Sequence, residues 1–96
     1  MTSLVDMGGG QCSVSGALTL ASADSLWRQL RSSGLLGNAT SVDLGQVTES
    51  DSAGLALLVA WRASCKASGG DLVVKALPVR LAALARLTDA QGILSG

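Results

Sequence analysis

The chain has no histidine, tyrosine or phenylalanine among its 96 residues, and its only aromatic side chains are Trp27 and Trp61. Without histidine it lacks the commonest general base and the commonest metal ligand, which argues against most hydrolytic mechanisms and against a histidine-bound metal. Two aromatic rings are too few for the stacking platform of a single-strand nucleic-acid binder. We therefore expect no catalytic residues, no metal and no cofactor.

Charge of one sign is not in excess either, because seven basic residues balance seven acidic ones. The basic residues are spread along the chain, so nothing favours binding to nucleic acid or to an anionic membrane surface. The longest apolar run, residues 54–61, is far shorter than the roughly 20 residues that span a bilayer, and the N-terminus lacks the pattern of a signal peptide. We expect a cytoplasmic protein without direct membrane insertion.

The two cysteines, Cys12 and Cys65, are far apart in sequence and do not form a CxxC pair. We interpret them as two buried thiols rather than a disulfide, which suits a reducing cytosol. A single proline and the absence of any long polar tract indicate one compact domain.

Hydrophobic patterns predict the order strand, strand, helix, strand, helix, strand, helix. Residues 3–7 and 12–20 flank three glycines and predict a β-hairpin. A first helix follows, with Ser22 as its cap, an apolar stripe that includes Trp27, and Gly34 as its end. Residues 40–47 predict a buried strand ending near Asp43 or Leu44.

The second half of the chain continues the alternation. A helix from about Ser52 to Ser68 carries alanines at 56, 60, 63 and 67, a stripe that we expect to face the sheet. Residues 71–77 predict another strand, and Pro78 opens a helix with Leu81, Leu84 and Leu87 on its inner face. A tail at residues 92–96 closes the chain. The predicted fold class is α/β, a mixed four- or five-stranded sheet with helices packed against it.

The segment DSAGLALL, residues 51–58, opens the predicted second helix directly after a predicted strand. Together with the strand SVDL and the loop GQVTES, it resembles the central motif of the STAS domain, the module of sulfate transporters and anti-sigma factor antagonists. The resemblance covers nearly the whole chain and implies a single STAS domain over residues 1–96. The longer DSAGLALLVAW, the Leu26–Trp27 pair and the late LPVRLAALARL are most similar to the MlaB type of STAS subunit.

That resemblance implies a non-catalytic accessory subunit of a phospholipid ABC transporter that maintains outer-membrane lipid asymmetry. The implied partner is the cytoplasmic, MlaF-like ATPase subunit, within a complex that includes an inner-membrane permease. The chain would support the assembly and activity of that ATPase, and would be peripheral to the inner membrane through this partner. The implied partner-binding residues are Trp27, Asp51, Ser52, Ala53, Gly54 and Leu55.

Ser52 also matches the position that anti-sigma factor antagonists phosphorylate, so an antagonist regulated by phosphorylation of Ser52 is the alternative function. The residues alone leave simpler interpretations open: Asp51 and Ser52 suit a helix cap, and Gly54 suits close packing of the helix start. Trp27 and Trp61 each suit either the core or an interface. Ser52 as a nucleophile, and Asp43 with Asp51 as a catalytic carboxylate pair, have no supporting groups nearby in sequence.

Overall fold

The computed structural model describes residues 2–87. The elements are β1 Ser3–Gly8, β2 Gln11–Leu18, α1 Leu20–Ser33, α2 Leu35–Asn38, β3 Ser41–Ser50, α3 Ser52–Ala67, β4 Val73–Lys75 and α4 Val79–Leu87. The strands form a four-stranded sheet in the order β1-β2-β3-β4. Strand β1 is antiparallel to β2, whereas β2, β3 and β4 are parallel. The helices contact one another in a layer, with α3 between α1 and α4. The α/β class and the mixed four-stranded sheet are thus confirmed.

The β1–β2 connection uses Gly8, Gly9 and Gly10, which all have positive φ angles of 86°, 62° and 81°. Residues with a Cβ atom rarely adopt this conformation, so the three glycines permit the tight turn predicted for them. At the end of α1, Gly34 has a φ of 79° and stops the helix, also as predicted. The helix itself begins at Leu20 with Thr19 as its N-cap residue. Ser22 lies in the first turn and takes part in the cap as the third helical residue, because its hydroxyl oxygen accepts a hydrogen bond from the N–H of Thr19 at 3.0 Å.

The core lies between the sheet and the helix layer. Its largest member is Trp61, which is fully buried and donates a hydrogen bond from Nε1 to the carbonyl oxygen of Leu35 at 2.9 Å. Trp61 is therefore a core residue that ties α3 to α2. Both cysteine thiols are free and buried, which confirms that interpretation. Burial raises the pKa of the Cys12 thiol to about 11.

The alanine stripe of α3 faces solvent, so the prediction that it packs on the sheet is wrong. The residues that do face the interior are larger: Leu55, Leu58, Trp61 and Cys65 are all buried. Burying these side chains removes far more apolar surface from water than burying alanine methyl groups would. The helix is oriented accordingly, and its small residues are left outside.

Two strand boundaries also differ from the sequence pattern. Strand β3 runs through GQVTES to Ser50, because its second half pairs with β2 in spite of its polar side chains. Register shifts in that pairing, after Ser13 and after Gly16, let the polar half fit. Strand β4 covers only Val73–Lys75, since Ala76 adopts a positive φ of 56° and ends it.

Helix α4 follows Pro78, whose carbonyl oxygen accepts the first helical hydrogen bond from Ala82 at 2.9 Å. Leu81 faces the core, but Leu87 is 84% exposed, which corrects its predicted inner position. Two steps of three residues rotate the side chain about 120° away from Leu81 on a 3.6-residue helix. Ala85 takes the buried position instead. The predicted tail, residues 92–96, lies outside the described residues.

A buried arginine on α3 forms an ion pair with the segment before β4. Arg62 is 4% exposed and binds Asp71 through two hydrogen bonds, Nε to Oδ1 at 2.9 Å and Nη2 to Oδ2 at 3.2 Å. The Arg62 hydrogen bonds, with one from the N–H of Leu72, lower the pKa of the Asp71 carboxyl to about 2. The ion pair joins the C-terminal half of α3 to the segment that leads into β4.

Replacing Asp71 with asparagine should make the domain less stable at neutral pH, because a buried guanidinium loses its counter-charge. A carboxylate with a lowered folded-state pKa stabilises the fold above its ordinary pKa of 3.8, and this contribution is lost as pH falls toward about 2. The difference in the free energy of unfolding between wild type and Asp71→Asn should therefore become smaller below about pH 4. Urea unfolding of both proteins across this range measures it, and a gap independent of pH would contradict the assignment.

Candidate functional site

Asp51 follows β3 directly and caps α3. Its Oδ1 accepts hydrogen bonds from the backbone N–H groups of Ala53 at 2.9 Å and Gly54 at 3.2 Å. Its Oδ2 accepts a third, at 3.1 Å, from the N–H of Leu20, the first residue of α1. One carboxylate thus satisfies backbone donors at the starts of two helices, which otherwise have no intrahelical partners.

The surroundings of Asp51 keep it ionised. The hydrogen bond from Leu20 is the largest cause that lowers the pKa of its carboxyl, followed by those from Gly54 and Ala53 and by the charge of Arg80. A carboxylate that is held as an acceptor in this way is a weak proton acceptor at neutral pH. The predicted cap is confirmed for Asp51, and its geometry is unsuited to general-base catalysis.

Gly54 lies where α3 meets the end of β2. A Cβ atom added to it would lie 2.1 Å from the carbonyl oxygen of Leu18 and 2.9 Å from the Leu18 Cγ. Only glycine permits so close an approach to backbone, so the first helical turn packs directly on β2. Gly54 is buried by its own domain, which supports the packing interpretation of this residue.

Ser52 is exposed and is the first residue of α3. In the described part of the chain its hydroxyl has no hydrogen-bond partner, and the capping bonds come from Asp51 instead. The prediction that Ser52 is a cap is therefore corrected. Its hydroxyl is free to meet a partner or a modifying enzyme.

Trp27 lies on α1 beside the exposed side of α3. It is partly buried: it packs against the core, and it also lines a shallow groove with a volume of about 350 Å³. The groove runs between the two helices, and its lining is almost entirely apolar. Its lining residues are Ala23, Asp24, Trp27, Ala53, Ala56, Leu57 and Ala60.

The exposed side of α3 beside this groove carries no charge for three turns. It presents Ser52, Ala56, Ala60 and Ala63, and the first exposed charged residue is Lys66. A helix surface in water is normally rich in charged side chains, so a long neutral stretch is typical of an interface. We call the groove and this neutral side of α3 the α1/α3 face.

Leu20 adds a large apolar residue to the same end of this face, and the sequence patterns gave no reason to select it. Its side chain is 77% exposed at the start of α1, and its N–H is bonded to Asp51, the residue before Ser52. On a helix, positions 20, 23 and 27 share one side. One signal could have identified Leu20. It is a leucine at the first position of α1, and the apolar stripe on the inner side of that helix is already complete without it.

The predicted site residues therefore separate into two groups. Trp27, Ser52 and Ala53 lie on or beside the α1/α3 face, and Asp51 lies between the two helix starts. Gly54 and Leu55 are buried, Leu55 with 4% exposure in the core. These two are consequently not available to a partner on the surface of the folded domain, which corrects their place among the predicted contacts.

Asp43 and Asp51 do not form a catalytic carboxylate pair. Asp43 is exposed and accepts a hydrogen bond at 2.7 Å from the N–H of Gly45, whereas Asp51 follows the other end of the same strand. Eight residues of extended strand separate them by about 25 Å. Within residues 2–87, no cluster of three or more metal-ligating side chains is present.

The family model described as "Mlab, STAS domain" matches residues 6–95. The chain belongs to the MlaB STAS-domain family. No curated protein sequence matches the chain significantly. Among solved structures, the anti-sigma factor antagonist SpoIIAA in its unphosphorylated form is similar with a TM-score of 0.69 and 13% identity, over 100% of this chain and 87% of that one.

The similarity to SpoIIAA shows that the chain has the STAS fold, which the family model also implies. At 13% identity, this similarity is evidence for the fold alone and not for a shared function. STAS domains of this family are regulatory or accessory modules in general. Within the described residues, no helix is both long enough and apolar enough to span a bilayer.

Replacing Gly54 with alanine should destabilise the domain by about 3 kcal/mol or more, because the new methyl group meets a backbone oxygen that cannot move aside. Gly70→Ala is the matched control: its Cβ would lie 3.7 Å from the nearest atom, an ordinary contact, and its φ is not positive. The control should change stability by less than about 0.5 kcal/mol. Chemical denaturation of both variants provides the comparison, and equal stabilities would show that the start of α3 does not depend on this approach.

Proposed function

We propose that this chain is a non-catalytic accessory subunit of a phospholipid ABC transporter and binds its cytoplasmic, MlaF-like ATPase subunit through the α1/α3 face. The transporter would include an inner-membrane permease and maintain outer-membrane lipid asymmetry. The chain would lie in the cytoplasm, peripheral to the inner membrane through the ATPase, as a single STAS domain that supports the assembly and activity of its partner.

The observation that carries this proposal is the largely apolar α1/α3 face, with Asp24 as the charged residue of its groove, in a member of the MlaB family. The face combines an aromatic ring in a shallow groove with small side chains on the neighbouring helix. Aromatic residues often anchor protein interfaces, and charged residues are depleted from their centres. Alanines at 56 and 60 would let a partner approach the helix backbone closely, as small residues do where helices pack.

The exposed Ser52 hydroxyl extends the face to a polar edge. At the first position of α3, Ser52 stands next to Asp51 and three residues after Glu49, so two carboxylates lie near this edge, together with the charge of Arg80. An added negative charge here would be repelled by both carboxylates and would have to be desolvated in a contact. The edge therefore suits a neutral hydrogen bond to the ATPase.

A second candidate function is that of an anti-sigma factor antagonist controlled by phosphorylation of Ser52. It is favoured by the exposed, unpartnered hydroxyl and by the similarity to SpoIIAA, itself an antagonist in unphosphorylated form. Both functions use a protein partner and the same end of α3. Purifying the tagged chain at native abundance distinguishes them: an ABC ATPase with its permease supports the first function, and an anti-sigma kinase supports the second.

Trp27→Ala should weaken ATPase binding by about thirtyfold, because aromatic anchors contribute about 2 kcal/mol or more to association. Val79→Ala is the control, since Val79 is 87% exposed on α4, outside the α1/α3 face. Titration with the purified ATPase gives the affinities, and thermal unfolding gives the stability. If Trp27→Ala loses stability while the folded fraction binds as tightly as wild type, the ring serves the core and this part of the proposal fails.

Substitutions at Ser52 should leave the fold intact, because the capping bonds come from Asp51. Their effect on binding should depend on the side chain that replaces serine. Threonine keeps the hydroxyl and should bind as wild type does, whereas alanine removes one hydrogen bond and should bind less tightly. Aspartate should lose about thirtyfold or more, since desolvating an unpaired carboxylate costs at least ~2 kcal/mol. Equal affinities across the four proteins would remove Ser52 from the interface, and tighter binding by the aspartate variant would indicate a basic partner surface.

A further inference from the structure

Asp51 connects the two helices that form the α1/α3 face. One carboxylate oxygen accepts from Ala53 and Gly54 in α3, and the other accepts from Leu20 in α1. The backbone adds a further link, because the N–H of Asp51 donates to the carbonyl oxygen of Leu18 at 3.3 Å. A single residue thus joins the end of β2 and the start of α1 to the start of α3.

The hydrogen bond from Leu20 to Asp51 satisfies a backbone donor at the start of α1. Leu20 is the first residue of α1, so its N–H has no intrahelical acceptor and the Asp51 Oδ2 is its partner. The negative charge also lies close to the N-terminal ends of two helix dipoles, which favours it at both. These bonds fix the start of α1 relative to the start of α3.

The groove lies immediately beyond this link. One wall is Trp27, two turns along α1, and the other is Ala53 and Ala56, in the first turns of α3. Because the two walls belong to different helices, the width of the groove depends on how the helix starts are held together. Loss of the Leu20 bond would let α1 shift without removing any side chain from the groove.

We propose that Asp51 is a positioning residue: it sets the width of the α1/α3 groove for the partner, and it acts through the helices rather than by pairing with the partner. The identity of the partner rests on the proposed function above. The effect on the groove is a property of the free domain, so it can be measured with or without the ATPase.

Asp51→Asn tests the carboxylate. The amide keeps one acceptor oxygen, which can serve α3 or Leu20 but not both, and its NH₂ group cannot accept a hydrogen bond. Asp71→Asn makes the same chemical change in the Arg62 pair, away from the groove. Amide exchange of the free protein should show at least tenfold faster exchange at Leu20, or at Ala53 and Gly54, in Asp51→Asn alone. The Trp27 indole signal should shift in the same variant and stay in place in the control.

Leu20→Pro tests the link with Asp51 left intact. Proline suits the first position of a helix, and Thr19 before it has an extended ψ of 176°, which favours proline. Proline removes the N–H donor and puts its Cδ in place of that hydrogen, so the Asp51 Oδ2 has to move away from residue 20. Leu20→Ala is the control, because both variants lose the leucine side chain and only the proline variant loses the donor. The proline variant should bind the ATPase at least fivefold more weakly than the alanine variant, with the Trp27 signal shifted as in Asp51→Asn.

The outcomes separate the two proposals. Equal affinities of Leu20→Pro and Leu20→Ala, with an unmoved Trp27 signal in Asp51→Asn, would overturn the positioning role. An affinity loss in Asp51→Asn without any change in the amides or in Trp27 would also overturn it, and would make Asp51 a direct contact. If the wild-type chain fails to bind the ATPase, the proposed function fails, while the exchange and Trp27 signals of the free chain still decide the role of Asp51.

Discussion

The close approach of α3 to the end of β2 determines where the α1/α3 face lies. Gly54 has no side chain at the point where the helix backbone meets the carbonyl oxygen of Leu18. This contact brings Asp51 within hydrogen-bond distance of Leu20, and so places the starts of α1 and α3 side by side. The face with Trp27 and Ser52 is a consequence of that packing, because its residues come from these two helices.

Helix α3 packs large side chains into the core and presents small side chains at the surface. Its large side chains, including Trp61, fill the interior, and its alanines lie outside. A core needs apolar area, whereas a surface that is to pack against another protein needs a shape that permits close approach. The proposed function requires both, because the domain must be stable alone and must present a largely apolar surface to its partner.

The order of the strands and of the three longer helices could be predicted from the sequence, since glycines, capping residues and hydrophobic periods are local signals, whereas the short α2 was not predicted. The orientation of α3 could not, because leucines and alanines recur on two sides of the helix and only the shape of the core decides which side is buried. Periodicity likewise could not find the second half of β3, which is held by backbone pairing with β2 in spite of its polar residues. The buried place of Leu55 and the role of Leu20 also depend on neighbours distant in sequence.

The central claim is that the domain meets the ATPase with the α1/α3 face. Amide exchange of the chain, measured free and in complex with the ATPase, tests it most directly. Slower exchange is expected in the complex along α1 from Leu20 to Trp27 and along α3 from Ser52 to Ala63, with β1 unchanged. Protection confined to β1 and α4, with the α1/α3 face exchanging as in the free chain, would contradict it.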